Sequence, residues 1–391
     1  MAQSKYAYDR SPYIVVYEDK SPFKDTYAGE IGMVSLTCHL LAPKDHPSDT
    51  VVIWSHPIGG GFYLPMMAAL AKAGVHVIYC DTRYRGIDTA LIMEKVIADL
   101  GAVVRDAKER LGYKKIILGG WSGGGSMSLY YQAEAEDPTV TTTPAGDPYD
   151  LTAKNFISAD GIMLVAAHHA RHITFTEWLD PSVTDENDPE NRDLELDIYN
   201  KDNPNQPPYS KEFLERYRAA QVARNRRITG WVKEKLATYK ANGEANREFG
   251  FVVHRTMAEP KWLDPTIDPN DRQPNWCFLG DPEVVNDSPV GLARFCSLRS
   301  WLSQWSYDDA RADGVKCAAR TSVPTLVVGN SADDGITPEH TKRLYEAVPH
   351  DRKQLKWIKG ANHYYFGQKD KAAEAAQTCA DWLASEGLLD A

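Results

Sequence analysis

Lys115-Ile116-Ile117-Leu118-Gly119-Gly120-Trp121-Ser122-Gly123-Gly124 is the stretch on which the fold turns. Its first half reads as a buried strand, and the run from Gly125 through Ser128 to Tyr131 and Ala135 reads as a helix. Between them lies a G-x-S-x-G. A sharp strand-to-helix turn lifts the serine hydroxyl clear of the sheet. The backbone there is strained, so the positions two before and two after must be small, and both Gly120 and Gly124 are glycine. The helix that follows aims its positive N-terminal end at the serine, where negative charge develops in acyl transfer. Average Gly and Ser usage gives a chance G-x-S-x-G in roughly one chain in ten of this length. The strand before and the helix after are what raise this one above a Gly-rich turn.

Three further segments share this arrangement of a strand followed by a polar or Gly-rich loop. Upstream, the apolar strand Thr50-Val51-Val52-Ile53-Trp54 runs into Ser55-His56-Pro57-Ile58-Gly59-Gly60-Gly61. Glycines let such a loop turn its N–H groups toward a ligand. A phosphate-cradling loop is the alternative reading, but no Lys-Ser/Thr follows the glycines. Downstream, the strand Pro324–Gly329 leads to Asn330-Ser331-Ala332-Asp333-Asp334-Gly335-Ile336-Thr337-Pro338. The strand Leu355–Ile358 leads to Gly360-Ala361-Asn362-His363. Ser122, an aspartate and His363 therefore follow in order, each on a loop after a strand, as candidate nucleophile, acid and base.

With these parts in place the chain resembles the α/β-hydrolase superfamily, over roughly residues 30–170 and 318–388. The chain order serine, acid, histidine is that of this superfamily and not of the other serine-protease folds. The resemblance implies a mostly parallel central sheet with helices on both faces. It also implies that the 55–61 loop supplies one N–H of an oxyanion hole and Gly123 the other. His56-Pro57 stands where the family carries His-Gly, which points to Ile58 as the loop donor, with Gly59 next. For the acid, two alignments conflict. Counting back from Pro338 selects Asp334, whereas matching Ala332-Asp333-Asp334, with apolar Ile336 three residues on, selects Asp333. Loops vary in length, so Asp333 is taken as the triad acid and Asp334 as second choice. The implied activity is hydrolysis of a carboxylic ester or lactone through an acyl-enzyme. The same triad also serves C–C cleavage of diketones, amide hydrolysis and acyl transfer, and a non-catalytic binding member of the fold is the alternative of another class. Neither a cofactor nor a metal is implied.

Around the motifs, strand and helix patterns alternate: strands at 33–40, 51–54, 75–80, 116–118 and 161–166, and helices at Leu64–Ala71 and Thr89–Leu111. The rhythm stops near His169 and resumes at Val323. Residues 1–168 and 317–391 are therefore read as the core, and 169–316 as an inserted, largely helical cap between strands six and seven. An oligomerisation insert is the alternative. Helices are expected at Glu212–Ala241 and Val290–Trp305 within it. Trp178, Trp231, Trp262, Trp276, Trp301 and Trp305 suggest an apolar or aromatic ester as the small-molecule substrate.

A net charge of −10 disfavours nucleic acid and anionic membranes as partners. No stretch approaches the ~18 apolar residues of a membrane span. Met1–Tyr6 lacks a signal-peptide core. The six cysteines show no metal spacing, which makes a reducing cytoplasm the default location. A homodimer is left open. His168-His169-Ala170-Arg171-His172 has no carboxylate at a fixed metal-ligand spacing and is read as lining the site mouth at a strand's C-terminal end. Arg83-Tyr84-Arg85-Gly86 lies at the same edge, either to bind a carboxylate or to cap the sheet through Asp81.

Overall fold

The structure is a computed structural model that describes residues 6–21, 23–24 and 30–389. The reading of Met1–Tyr6 as lacking a signal-peptide core falls, Tyr6 apart, outside those residues. Eight strands form one sheet: β1 Tyr8–Glu18, β2 Met33–Pro43, β3 Thr50–Ser55, β4 Val77–Cys80, β5 Lys115–Ser122, β6 Gly161–Ala167, β7 Thr325–Asn330 and β8 Lys353–Ile358. Their spatial order is β1-β2-β4-β3-β5-β6-β7-β8. β1 pairs antiparallel with β2 and β2 antiparallel with β4, while every other pair is parallel. The central strands β3 to β6 are apolar and wholly buried apart from Lys115, as a parallel sheet covered on both faces requires.

Two apolar layers sandwich the sheet. One centres on α2, Met93–Glu109, and α3, Gly123–Glu136. The other centres on α1, Pro65–Lys72, and the C-terminal helix Lys369–Ser385. The alternating sides of each strand feed the two layers: Val51 and Ile53 enter the first, Val52 and Trp54 the second.

β1 is an edge strand whose Val15 is buried while Ile14 and Val16 face out. Two sequence expectations need correction. The helix expected from Thr89 begins at Met93, because Met93 N–H is held by Ser303 Oγ at 2.8 Å and Leu91 is bound into a turn on Asp88. The single helix expected over Val290–Trp305 is a short strand, Phe295–Ser297, then a helix, Leu298–Gln304. Ser297 caps that helix reciprocally with Ser300, which fixes its start at Leu298 and not at Val290.

Between β6 and β7 the chain forms a separate set of elements: α4 Arg171–Trp178, α5 Lys211–Ala241, the Leu298–Gln304 helix, shorter helical turns and two small antiparallel ribbons. α5 starts at Ser210, whose Oγ accepts from Phe213 N–H. Phe175, Ile228, Val232, Leu298, Trp301 and Trp305 close an apolar core of their own, distinct from the two layers on the sheet. The insert is tied to the sheet's C-terminal edge through Ser303, which bonds Met93 N–H and the buried Glu94 carboxylate.

Candidate active site

Ser122 is the last residue of β5 and the cap of α3, with φ 51° and ψ −127°. That backbone lies outside the regions L-residues ordinarily occupy and is a strained conformation of the kind concentrated at functional sites. The flanking glycines are dictated by contact. A Cβ at Gly120 would lie 2.6 Å from the Gly125 Cα, and one at Gly124 would lie 2.3 Å from the Ser55 carbonyl oxygen. Both obstacles are backbone and cannot move aside.

The turn delivers the hydroxyl to His363. Ser122 Oγ lies 3.2 Å from His363 Nε2, and His363 Nδ1 lies 2.9 Å from Asp333 Oδ2. Asp333 is fully buried, and its other oxygen accepts the N–H groups of Gly335 and Ile336, both at 2.8 Å. A carboxylate so held accepts from His363 Nδ1–H and leaves Nε2 bare toward Ser122. Trp121, the x before the serine, fixes the histidine loop: its Nε1 donates to the His363 carbonyl at 3.0 Å and the two rings sit 4.8 Å apart. Burial alone would pull the His363 pKa down. The Asp333 carboxylate, by charge and hydrogen bond, outweighs it and lifts the net value above a free histidine's, with Asp334 adding to the lift.

Asp334 is held differently. Its carbonyl accepts from Trp262 Nε1 at 2.7 Å, and its buried Oδ1 has no hydrogen-bond partner among the described residues. Burial, then the neighbouring Asp333 charge, push its carboxyl up to about 7. The structure thus brings Asp333, and not Asp334, onto His363.

Of the three expected oxyanion donors, Gly59 does not qualify. Its N–H closes a turn onto the His56 carbonyl at 2.7 Å. Gly60 and Gly61 are also committed, to Asp81 Oδ1 and Tyr79 OH. The N–H groups of Ile58 and Gly123 have no partner among the described residues. This division follows from the turn that the glycines make, which motif spacing does not reveal.

The insert meets this edge of the sheet. Phe278 lies 5.7 Å from the His363 ring, and the Trp178 ring is tilted against both Phe278 and Trp262, at 5.4 Å from each. Of the six tryptophans, Trp178, Trp262 and Trp305 touch groups at the site. Trp301 is insert core, Trp231 packs on Phe249 and Phe251, and Trp276 is exposed. Arg83 is buried against Asp99 and Asp19, and Arg85 pairs with Asp81, so this segment braces the sheet. In the 168–172 segment, which runs into α4, His168 N–H donates to the Ser122 carbonyl at 2.9 Å. Arg171 enters the site itself: a Cβ at Gly123 would lie 2.7 Å from its Nη1 and 3.1 Å from His56 Nε2. His169 also meets a carboxylate that linear spacing could not foresee. Potential ligand atoms of His169, Glu177 and His340 lie within 4.8 Å of one another, and His340 Nε2 hydrogen-bonds Glu177 at 2.8 Å. These three come from the loop after β6, from α4 and from the helix Pro338–Ala347, and among the described residues they are the group that could hold a metal ion.

No family model matches the chain, and no curated protein matches it. Solved structures do. The esterase domain of a Rhodothermus marinus protein aligns over 95% of this chain and 98% of its own, at 13% identity and TM-score 0.47. Est1E from Butyrivibrio proteoclasticus aligns over 90% and 96%, at 13% identity and TM-score 0.47. A monoacylglycerol lipase from Paleococcus ferrophilus aligns over 96% and 99%, at 16% identity and TM-score 0.43.

Proposed function

The chain has the α/β-hydrolase fold, and from that premise we propose that it is a serine hydrolase of carboxylic esters or lactones. The observation that carries this reading is the continuous hydrogen-bonded line Ser122–His363–Asp333, which ends at a serine on a strained turn. Ser122 Oγ attacks the substrate carbonyl carbon while His363 Nε2 takes its proton. The carbonyl oxygen becomes an oxyanion, and the N–H groups of Ile58 and Gly123 donate to it. Collapse of this intermediate breaks the bond to the alcohol, which leaves with the proton from His363. Water then attacks the acyl-Ser122 ester with His363 again as base. The carboxylic acid departs and Ser122 regains its proton.

Residues 169–316 form the cap of this site in our reading, supported by the contacts of Phe278, Trp262 and Arg171 with the triad's surroundings. The rings of Trp121, Phe278 and Tyr364 around His363 favour a substrate with an apolar or aromatic part. A hydrolysis screen over short and long acyl esters, aryl esters and lactones, run beside fluorophosphonate inactivation, tests the proposal. Turnover of at least one ester class that is abolished in step with labelling supports it. Turnover that survives complete labelling overturns it.

A further inference from the structure

A buried arginine in this fold is ordinarily matched to acids or carbonyls. Arg83 meets Asp19 and Asp99, Arg224 meets Glu186, and Arg255 meets Asp180, Asp197 and Asp287. Arg272 has no ion pair among the described residues, but it donates to four backbone carbonyls and to Asn270. Arg171 is the exception at the site. It is 5% exposed; among the described residues its Nε has no partner, and its acceptor is a neutral one, Gln304 Oε1 at 3.3 Å from Nη2. No carboxylate among the described residues lies within ion-pair distance of it. The Asp88 carboxylate acts on it only from beyond ion-pair distance. Removing a cation from water without a directly paired counter-charge costs several kcal/mol, which leaves the guanidinium open to an anion entering the site.

The surroundings hold the guanidinium in place. One face stacks over Trp305 with 4.6 Å to the ring centre. Gln304 is oriented by its own Nε2, which donates to the Asp88 carbonyl at 2.9 Å, so its Oε1 is turned toward Arg171. Nη1 comes to the Gly123 backbone, directly after the nucleophile. His56, whose Nε2 meets the same face of Gly123, does not answer the charge. Burial first, then Arg171 and His363, hold its pKa well below the usual histidine value, so it is neutral. Burial lowers the Arg171 pKa to about 10, which leaves it cationic at neutral pH.

We propose that Arg171 is a carboxylate-binding residue of the active site, and that the substrate carries a carboxylate close to its scissile carbonyl. The proposal rests on the serine-hydrolase reading and deepens it. The planar guanidinium presents a donor fork that fits a carboxylate, and its place beside Gly123 puts that group within a few bonds of the carbon that Ser122 attacks. The cation comes from α4, at the start of the insert, and its supports Gln304 and Trp305 from the insert's end. The insert would thus select the substrate while the sheet carries the chemistry.

Two 4-nitrophenyl esters of similar shape test this: the hemisuccinate, with a terminal carboxylate, and the 4-methylpentanoate, with an isopropyl group there. Spontaneous hydrolysis is subtracted from each. The wild type is expected to favour the hemisuccinate in kcat/KM by ~10-fold or more, the scale of one charge-assisted pair. R171M should erase that ratio by raising KM for the hemisuccinate. Equal use of the two esters by the wild type, or an R171M variant that slows both alike and keeps the ratio, overturns the proposal. Should R171M not fold, Q304L and a wild-type competition decide. Q304L should shrink the ratio. Succinate should slow fluorophosphonate labelling of wild-type Ser122 while neutral succinamide does not, and equal effects of the two overturn the proposal. An enzyme that labels and turns over the neutral ester but shows no carboxylate preference loses this inference alone. Absence of both labelling and turnover removes the hydrolase reading as well.

Discussion

Asp333→Asn should be far more damaging than its small size implies, and the structure gives the reason. Asp333 Oδ1 accepts two N–H groups, from Gly335 and Ile336, and Oδ2 faces His363 Nδ1. An asparagine must keep its carbonyl oxygen on those two donors, because an NH2 there would confront two N–H groups. Its NH2 is then turned to His363 Nδ1, which has to become an acceptor. The proton moves to Nε2, where it faces Ser122 Oγ and cannot receive the serine's proton. Loss of the right tautomer at such a triad costs about 10³–10⁴ in kcat, which is about 4–5.5 kcal/mol at 1.36 kcal/mol per tenfold. Asp334→Asn touches none of these bonds and should cost less than about tenfold. Steady-state kinetics on a neutral aryl ester, with thermal melts to show that each variant folds, decide the matter. Near-wild-type turnover by D333N, or collapse in D334N with D333N mild, would refute the reasoning.

Other outcomes follow from the same geometry. Ser122→Ala should lower kcat by about 10³ or more and abolish fluorophosphonate labelling while the melt persists; retained labelling would place the nucleophile elsewhere. The Asp334 carboxyl is held near pH 7 against 3.8 for a free one, so its stabilising contribution fades as pH rises from about 4 through 7. The melting temperature of D334N should therefore exceed wild type by more at pH 8 than at pH 5, and a constant gap would contradict this. The same substitution removes a negative charge that raises the His363 pKa, so the acid limb of kcat/KM should move to lower pH. Trp121→Phe removes one hydrogen bond to the His363 carbonyl, worth about 1 kcal/mol, and should cut kcat about fivefold; an unchanged rate would mean that the loop is held by other means. Gly124→Ala should destabilise by about 3 kcal/mol or more, since its Cβ meets the Ser55 carbonyl at 2.3 Å; an undiminished melt would show that the turn can relax.

The parts of this molecule that were legible in its sequence are those where one segment specifies its own conformation. The Gly120–Gly124 turn announces itself because backbone contacts at two positions forbid any side chain. Apolar runs such as Val51–Trp54 and Ile116–Leu118 read as buried strands because both their faces are covered. Ser122 and His363 could be singled out by their places at strand ends. Choosing between Asp333 and Asp334 needed more than loop length, since the two side chains separate only once the Gly335 and Ile336 N–H groups capture one of them. The Gly59 assignment failed because a local turn consumes its N–H. The insert was legible as an interruption but not as an arrangement. Arg171 gains meaning only when Gln304 and Trp305, more than 130 residues later, close around it. The His169–Glu177–His340 cluster likewise joins segments with no fixed spacing.

The central claim is that Ser122 forms a covalent acyl intermediate. Rapid quenching of the enzyme with an activated ester, followed by intact-mass and peptide analysis, tests it directly. A mass increase of one acyl group is expected on the peptide carrying Ser122, formed before steady state and missing in Ser122→Ala. Steady turnover of the ester with no adduct at any time, or an adduct on another residue that persists in Ser122→Ala, would contradict it.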